Sequence, residues 1–178
     1  MSELEEYRTR IRAALIGEDE RPMFNGSLRH AQIVIEEAFK AASKQVRILS
    51  NGLDSECYGQ QPLIDIVRQF LNMKETTLSI LVEKSRDDVC QGRFYKNFES
   101  EIGEGRIKLA FVPAEISDDY QFNFLVVDES AYRFEADRRM PEAVVAGGAS
   151  AADAAQNLAR LFDSLFARVS ARAQLQPA

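Results

Sequence analysis

Strand-sized apolar runs alternate with helix-period segments through the first two-thirds of the chain, and this alternation restricts the fold more than any other feature. Residues 45–50, 76–82 and 106–112 are short and β-rich. Between the first two, Leu63, Ile64, Ile66, Val67, Phe70 and Leu71 follow Pro62 with the spacing of one helical face. Between the second and third, Phe94, Phe98 and Ile102 recur every fourth residue until Gly103 and Gly105. Strands separated by helices in this way call for a parallel sheet covered on both faces.

Two helices precede this unit. The first covers residues 2–16, with Leu4, Tyr7, Ile11, Ala14 and Leu15 on its apolar side. The second covers 28–44, after a loop at 18–27 that contains Pro22, Asn25 and Gly26. Three more strand signals follow, at 122–127, 131–135 and 142–145, and Asp128-Glu129-Ser130 turns the first two into a hairpin. Ser150 caps a final helix running to about Arg172, whose stripe includes Leu161 and Phe162 and places both in the core. The expected fold is α/β, with a mixed, mostly parallel sheet sandwiched between helices.

The length of 178 residues suits one core. The division expected is an N-terminal helix and loop at 1–23, a domain at 24–172 and a frayed tail at 173–178. Apolar runs are no longer than that at 124–127, far too short to span a membrane, and the acidic N-terminus is no secretory signal. Cys57 and Cys90 belong to no C-x-x-C pair, and a single histidine cannot complete a zinc site, so the expectation is two reduced thiols in a cytoplasmic protein without metal or cofactor. A net charge of −6 argues against a general nucleic-acid binder, and the Arg138-Arg139 pair is too short to change that.

The segment Gln121-Phe122-Asn123-Phe124-Leu125-Val126-Val127-Asp128, followed by the strand 131–135, resembles the phospholipase D-like family. The family motif is H-x-K-x4-D, and here Gln121 stands at the histidine, Asn123 at the lysine and Asp128 at the aspartate. The G-S-x-N that often follows is absent, since that region reads Glu135-Ala136-Asp137-Arg138. The resemblance covers about residues 24–169 and implies one half of a two-lobed unit. It therefore implies a homodimer or a protein partner, as in bacterial multi-component systems.

The same resemblance implies that the chemistry is gone. Attack on a phosphodiester needs a nucleophile that deprotonates near neutral pH and fixed cations facing the phosphate. Gln121 and Asn123 are neutral amides. His30, the sole histidine, starts a helix and has no lysine two residues on. No G-x-S-x-G occurs, Gly147-Gly148 match no phosphate loop, and Asp87-Asp88 and Asp118-Asp119 read as solvated loops. The expectation is a pseudoenzyme used for binding or assembly.

Strand alternation puts Gln121 with Asn123 and Arg133 with Glu135, so these four form the candidate polar set, beside Asp128. The bland account of them is a satisfied network with an Arg–Glu pair. The interface candidates are Leu4, Tyr7, Ile11 and Leu15. Two alternatives remain open. One is nucleic-acid binding in an ancestral phosphate groove lined by Arg47, Arg93, Lys96, Arg106 and Lys108. The other is a hydrolase using Cys90 or the acidic loops. A positive cleft over Asn123, a flat apolar patch or a deep pocket holding Cys90 would point to nucleic acid, a partner or catalysis respectively.

Overall fold

The computed structural model describes residues 2–118, 120–140 and 142–175. Asp119 and the last three residues of the expected tail lie outside them. The three β-rich runs become β2 (Gln45–Ser50), β3 (Thr77–Val82) and β4 (Ile107–Phe111), which pair in parallel. The helices α3 (Gln61–Asn72), α4 (Arg86–Gln91) and α5 (Arg93–Gly103) make the crossovers. The later strands β5 (Asn123–Val127), β6 (Ala131–Glu135) and β7 (Ala143–Gly147) run antiparallel, with β5 laid against β2.

Among the described residues the sheet has seven strands in the order β1-β7-β6-β5-β2-β3-β4, where β1 is Met23–Asn25. The mixed sheet between helices is therefore present, but its balance is reversed. Two pairings are parallel and four antiparallel, because helical crossovers occur only between β2 and β4. The β1 strand falls in what reads as a loop, and the expected division at residue 23 cuts through it.

Helices α1 (Glu3–Leu15), α2 (Leu28–Ala41), α3 and α5 cover one face, around Phe39, Phe70, Phe94 and Phe98. The short α6 (Ala114–Ser117) and the long α7 (Ala152–Leu175) cover the other, around Phe124, Ile116 and Phe162. Ser150 does not cap α7; it sits in a 3-10 turn, Ala149–Ala151, with its hydroxyl directed to the Glu20 carbonyl. The buried stripe of α7 runs through Ala155, Ala159, Phe162 and Val169, and Leu161, one position off it, is 39% exposed.

Helix α1 belongs to the core of the same domain. Ser2 and Glu5 close a capping box at its start. Tyr7, Ile11 and Leu15 are buried against α2 and β7, which removes them from the surface as interface residues; Leu4 remains 38% exposed. Glu37 of α2, its side chain fully buried, accepts bonds from Arg8 (2.6 Å), Arg12 (2.9 Å) and Lys40 (2.8 Å). Burial works to raise the Glu37 pKa, but these three donors outweigh it and hold the carboxyl below its ordinary value.

The end of α1 touches β7 directly: a Cβ on Gly147 would lie 2.3 Å from the Ala14 carbonyl oxygen and 2.8 Å from that of Leu15. Gly147→Ala must push α1 away from the sheet. The expected cost is about 1–3 kcal/mol in urea unfolding, the range for overpacking.

Candidate functional site

The carboxyl ends of parallel strands, at the point where the chain switches sides of the sheet, are where open α/β sheets form crevices. Here that point lies between β2 and β5. The chain leaves β2 through Asn51-Gly52 and leaves β3 through Glu83-Lys84, and β5 begins beside them at Asn123. A cavity of about 360 Å³ opens there, between these loops, the first turns of α2 and the end of β6.

Its base is a chain of hydrogen bonds across three strands. Register places Asn123 opposite Glu135 and Leu125 opposite Arg133, so Asn123, Arg133 and Glu135 share the face turned to α2. Arg133 Nε donates to Asn25 Oδ1 at 3.2 Å, and Arg133 Nη2 donates to Glu135 Oε1 at 3.3 Å. Glu135 Oε2 accepts from Asn123 Nδ2 at 2.7 Å, and Asn123 Oδ1 accepts from the Asn51 N–H at 3.0 Å. Both ends of the Asn123 amide are thus committed.

Three further cations border the cavity. Arg138 pairs with the almost fully buried Glu83, and Arg139 forms a bidentate pair with Asp137 at 2.8 and 2.7 Å. Lys84 is exposed, and among the described residues it has no carboxylate partner. Its stem lies across Gly52, where a Cβ would come within 2.6 Å of the Lys84 Cδ, so the absence of a side chain there makes room for it. Asp54 and Glu135 are the carboxylates on the wall. Counting Glu83 and Asp137 behind the arginines, cations and carboxylates among the described residues balance at four each. The cleft over Asn123 is of mixed charge, with Leu28, Ala31, Ile35 and Met140 also on its wall.

The sequence candidates divide clearly. Asn123, Arg133 and Glu135 converge, whereas Gln121 precedes β5, is exposed and does not line the cavity; its carbonyl accepts the Arg138 N–H at 2.9 Å. Asp128 sits at the opposite end of β5. Its carboxylate accepts from the N–H groups of Ser43, Lys44 and Gln45 at 2.7–2.9 Å and from the Ser43 hydroxyl at 2.9 Å, so it pins the hairpin turn to the start of β2.

The five cations expected to line a groove are dispersed instead. Arg47 is buried under α7 with Asp163 and Glu129, Arg106 donates to the Leu71 carbonyl, and Arg93, Lys96 and Lys108 are exposed elsewhere. Lys84, Arg138 and Arg139, which do border the cavity, come from loops without periodicity; the Arg138-Arg139 pair was their one sequence signal.

Nucleophiles are poorly placed. His30 stacks on Tyr7 with ring centroids 4.0 Å apart and does not line the cavity. Both cysteines are free thiols, and Cys90 is not on the wall. Cys57 is, but burial, with Asp54 adding to it, pushes its thiol up to about 11. Burial likewise raises the Tyr58 phenol. The Ser27 hydroxyl caps α2, and that of Ser50 donates to the Gly52 carbonyl at 2.7 Å. Among the described residues no group of three or more His, Cys, Asp or Glu could hold a metal ion, and no helix is long and apolar enough to cross a membrane.

The seven-stranded mixed sheet between helices is a fold found in other solved structures. No protein-family model and no curated protein matches the sequence. Among solved structures the chain is similar to TrmBL2, an archaeal chromatin protein with a novel mode of DNA binding. The TM-score is 0.63 at 13% identity, over 85% of this chain and 54% of that one. It is also similar to phosphatidylserine synthase of Haemophilus influenzae Rd KW20. There the TM-score is 0.60 at 12% identity, over 92% of this chain and 41% of that one. The chain spans about half the length of these proteins, and at such identities the likeness concerns the fold alone.

Proposed function

We propose that this chain is a non-catalytic phospholipase D-like domain that works as a binding module, and that the cavity beside Asn123 holds a phosphate-bearing ligand without cleaving it. Asn123 carries the reading. It stands where the family places a cationic lysine, on the wall of a cavity, yet its amide is neutral and both of its ends are committed to Asn51 and Glu135. It can support a bound group and cannot neutralise developing charge. The histidine position, Gln121, lies outside the cavity. Lys84 supplies a cation free to meet an anion, and the arginine rim adds donors of fixed direction.

Calorimetric titration with inorganic phosphate tests this. Saturable binding is expected, weakened about tenfold by Lys84→Ala, since a charge-assisted hydrogen bond contributes about 1.5–3 kcal/mol. No saturable heat, or an affinity unchanged by Lys84→Ala, would remove the cavity as the site.

A second reading is nucleic-acid binding. Lys84, Arg138 and Arg139 border one cavity, and a structural neighbour is a DNA-binding protein. The carboxylates Glu83 and Asp137 offset two of the three. Anisotropy of labelled single- and double-stranded oligonucleotides separates the readings. Affinity that falls steeply with salt favours nucleic acid, because it reports counterion release; no binding at moderate salt favours a small ligand.

A further inference from the structure

We propose that the open edge of β4 is a docking slot for an extended, acidic segment of a partner protein, which adds to the sheet as a further strand. β4 is last in the strand order, and among the described residues nothing pairs with its far edge. The Val112 N–H donates to the Val82 carbonyl at 2.7 Å, toward β3. Strand alternation then turns the peptide groups of Lys108 and Ala110 toward β3 as well, and those of Leu109 and Phe111 outward. Among the described residues no group bonds these outward N–H and C=O groups.

A groove of about 420 Å³ runs along this edge. The whole strand, Ile107–Phe111, forms its floor. Phe166 and Val169 of α7 form one wall, and Arg86 and Ile102 form the other. Both helical layers therefore border the last strand, as they would if another lay beside it. Exposed strand edges are ordinarily short, charged or covered because they recruit other chains, and strand addition is a recurrent mode of peptide recognition.

The charges select the occupant. Arg86, stacked over the Phe111 ring at 4.6 Å, and Lys108 are the charged residues that line the groove among the described residues, and none of these is a carboxylate. A segment with carboxylates among apolar residues complements it. A second copy would bring the same cations against these, with no carboxylate to receive them.

The test uses a labelled octapeptide alternating glutamate with valine, blocked at both ends, and reads anisotropy at low salt. Saturable binding is expected. It should weaken by about tenfold or more in an Arg86→Glu, Lys108→Glu double variant, whose positions are exposed and so spare the fold. It should weaken similarly when alternate peptide amides are N-methylated, which removes the donors to β4 while leaving the charge. A lysine–valine peptide should not bind. Absence of saturable glutamate-peptide binding at millimolar concentration, or equal binding of the methylated peptide, overturns the proposal. So does a dimer of the intact chain in which the Leu109 and Phe111 amides become protected from hydrogen exchange, since a second copy then fills the slot. The phosphate cavity lies on other residues, so failure here leaves that reading intact.

Discussion

Phe162→Ala is expected to lower the unfolding free energy by about 3–5 kcal/mol, the range for deleting a buried aromatic ring. Phe162 is 1% exposed and belongs to the cluster formed by Leu49, Leu81, Phe124 and Val126 on the α7 face. Its ring also stacks on Phe166 with centroids 5.7 Å apart. A cavity there opens at the centre of the layer that holds α7 to the sheet, where neighbours from three strands cannot all collapse inward. Leu161→Ala is the control: exposed on the next position of the helix, it should change stability by less than about 1 kcal/mol. Urea unfolding of both variants checks the pair. Equal losses, or a Phe162→Ala loss below about 1 kcal/mol, would place α7 in another orientation.

Asp128→Ala should cost about 2–4 kcal/mol, for two separable reasons. The carboxylate accepts four hydrogen bonds from residues 43–45, and hydrogen bonds to charged groups contribute about 1.5–3 kcal/mol each when buried, less at this half-buried site. The turn also holds Asp128 at φ 48° and Glu129 at φ 59°, a left-handed pair closed by the Ser130 N–H on the Val127 carbonyl at 3.0 Å. Aspartate tolerates that region better than alanine. Burial acts to raise the Asp128 pKa, but the bonds from Gln45, Ser43 and Lys44 outweigh it, so the folded value lies below the ordinary one. A lowered folded pKa means the contribution is complete above the unfolded value of about 3.9 and fades as pH falls through the folded one. The difference between the parent chain and Asp128→Ala should therefore shrink in acid. A difference independent of pH from neutrality to about pH 2 would assign the effect to backbone conformation alone.

Much of the architecture was legible because periodicity reports burial. β2 and β6 follow their β-rich runs residue for residue, and the hairpin turn lies at Asp128-Glu129-Ser130. What escaped reading lacks a period. β1 has three residues, placed among Pro22, Asn25 and Gly26, and becomes a strand only because β7 offers an edge. Helices α4 and α6 have six and four residues, too few for an apolar face to repeat. The preference for a parallel sheet extended the logic of β2–β4 to strands joined without crossover helices.

The site was half legible for a related reason. Alternation places Asn123, Arg133 and Glu135 on one face once β5 and β6 pair. The same alternation counted back to Gln121 fails, because β5 begins only at Asn123 and the chain leaves the sheet before it. Lys84, Arg138 and Arg139 reach the cavity through long-range loop geometry. The amphipathic face of α1 was plain in the sequence, but whether it meets its own domain or another depends on contacts far along the chain, such as the approach of Ala14 to Gly147.

Phosphorus NMR of bis(4-nitrophenyl) phosphate mixed with the purified protein tests the central claim most directly, because one spectrum reports both binding and cleavage. Binding without chemistry predicts concentration-dependent broadening of the diester resonance, reduced by Lys84→Ala, with no monoester resonance growing in. A monoester signal that accumulates in proportion to protein, and survives further purification, would contradict the account by showing that the fold still cleaves phosphodiesters.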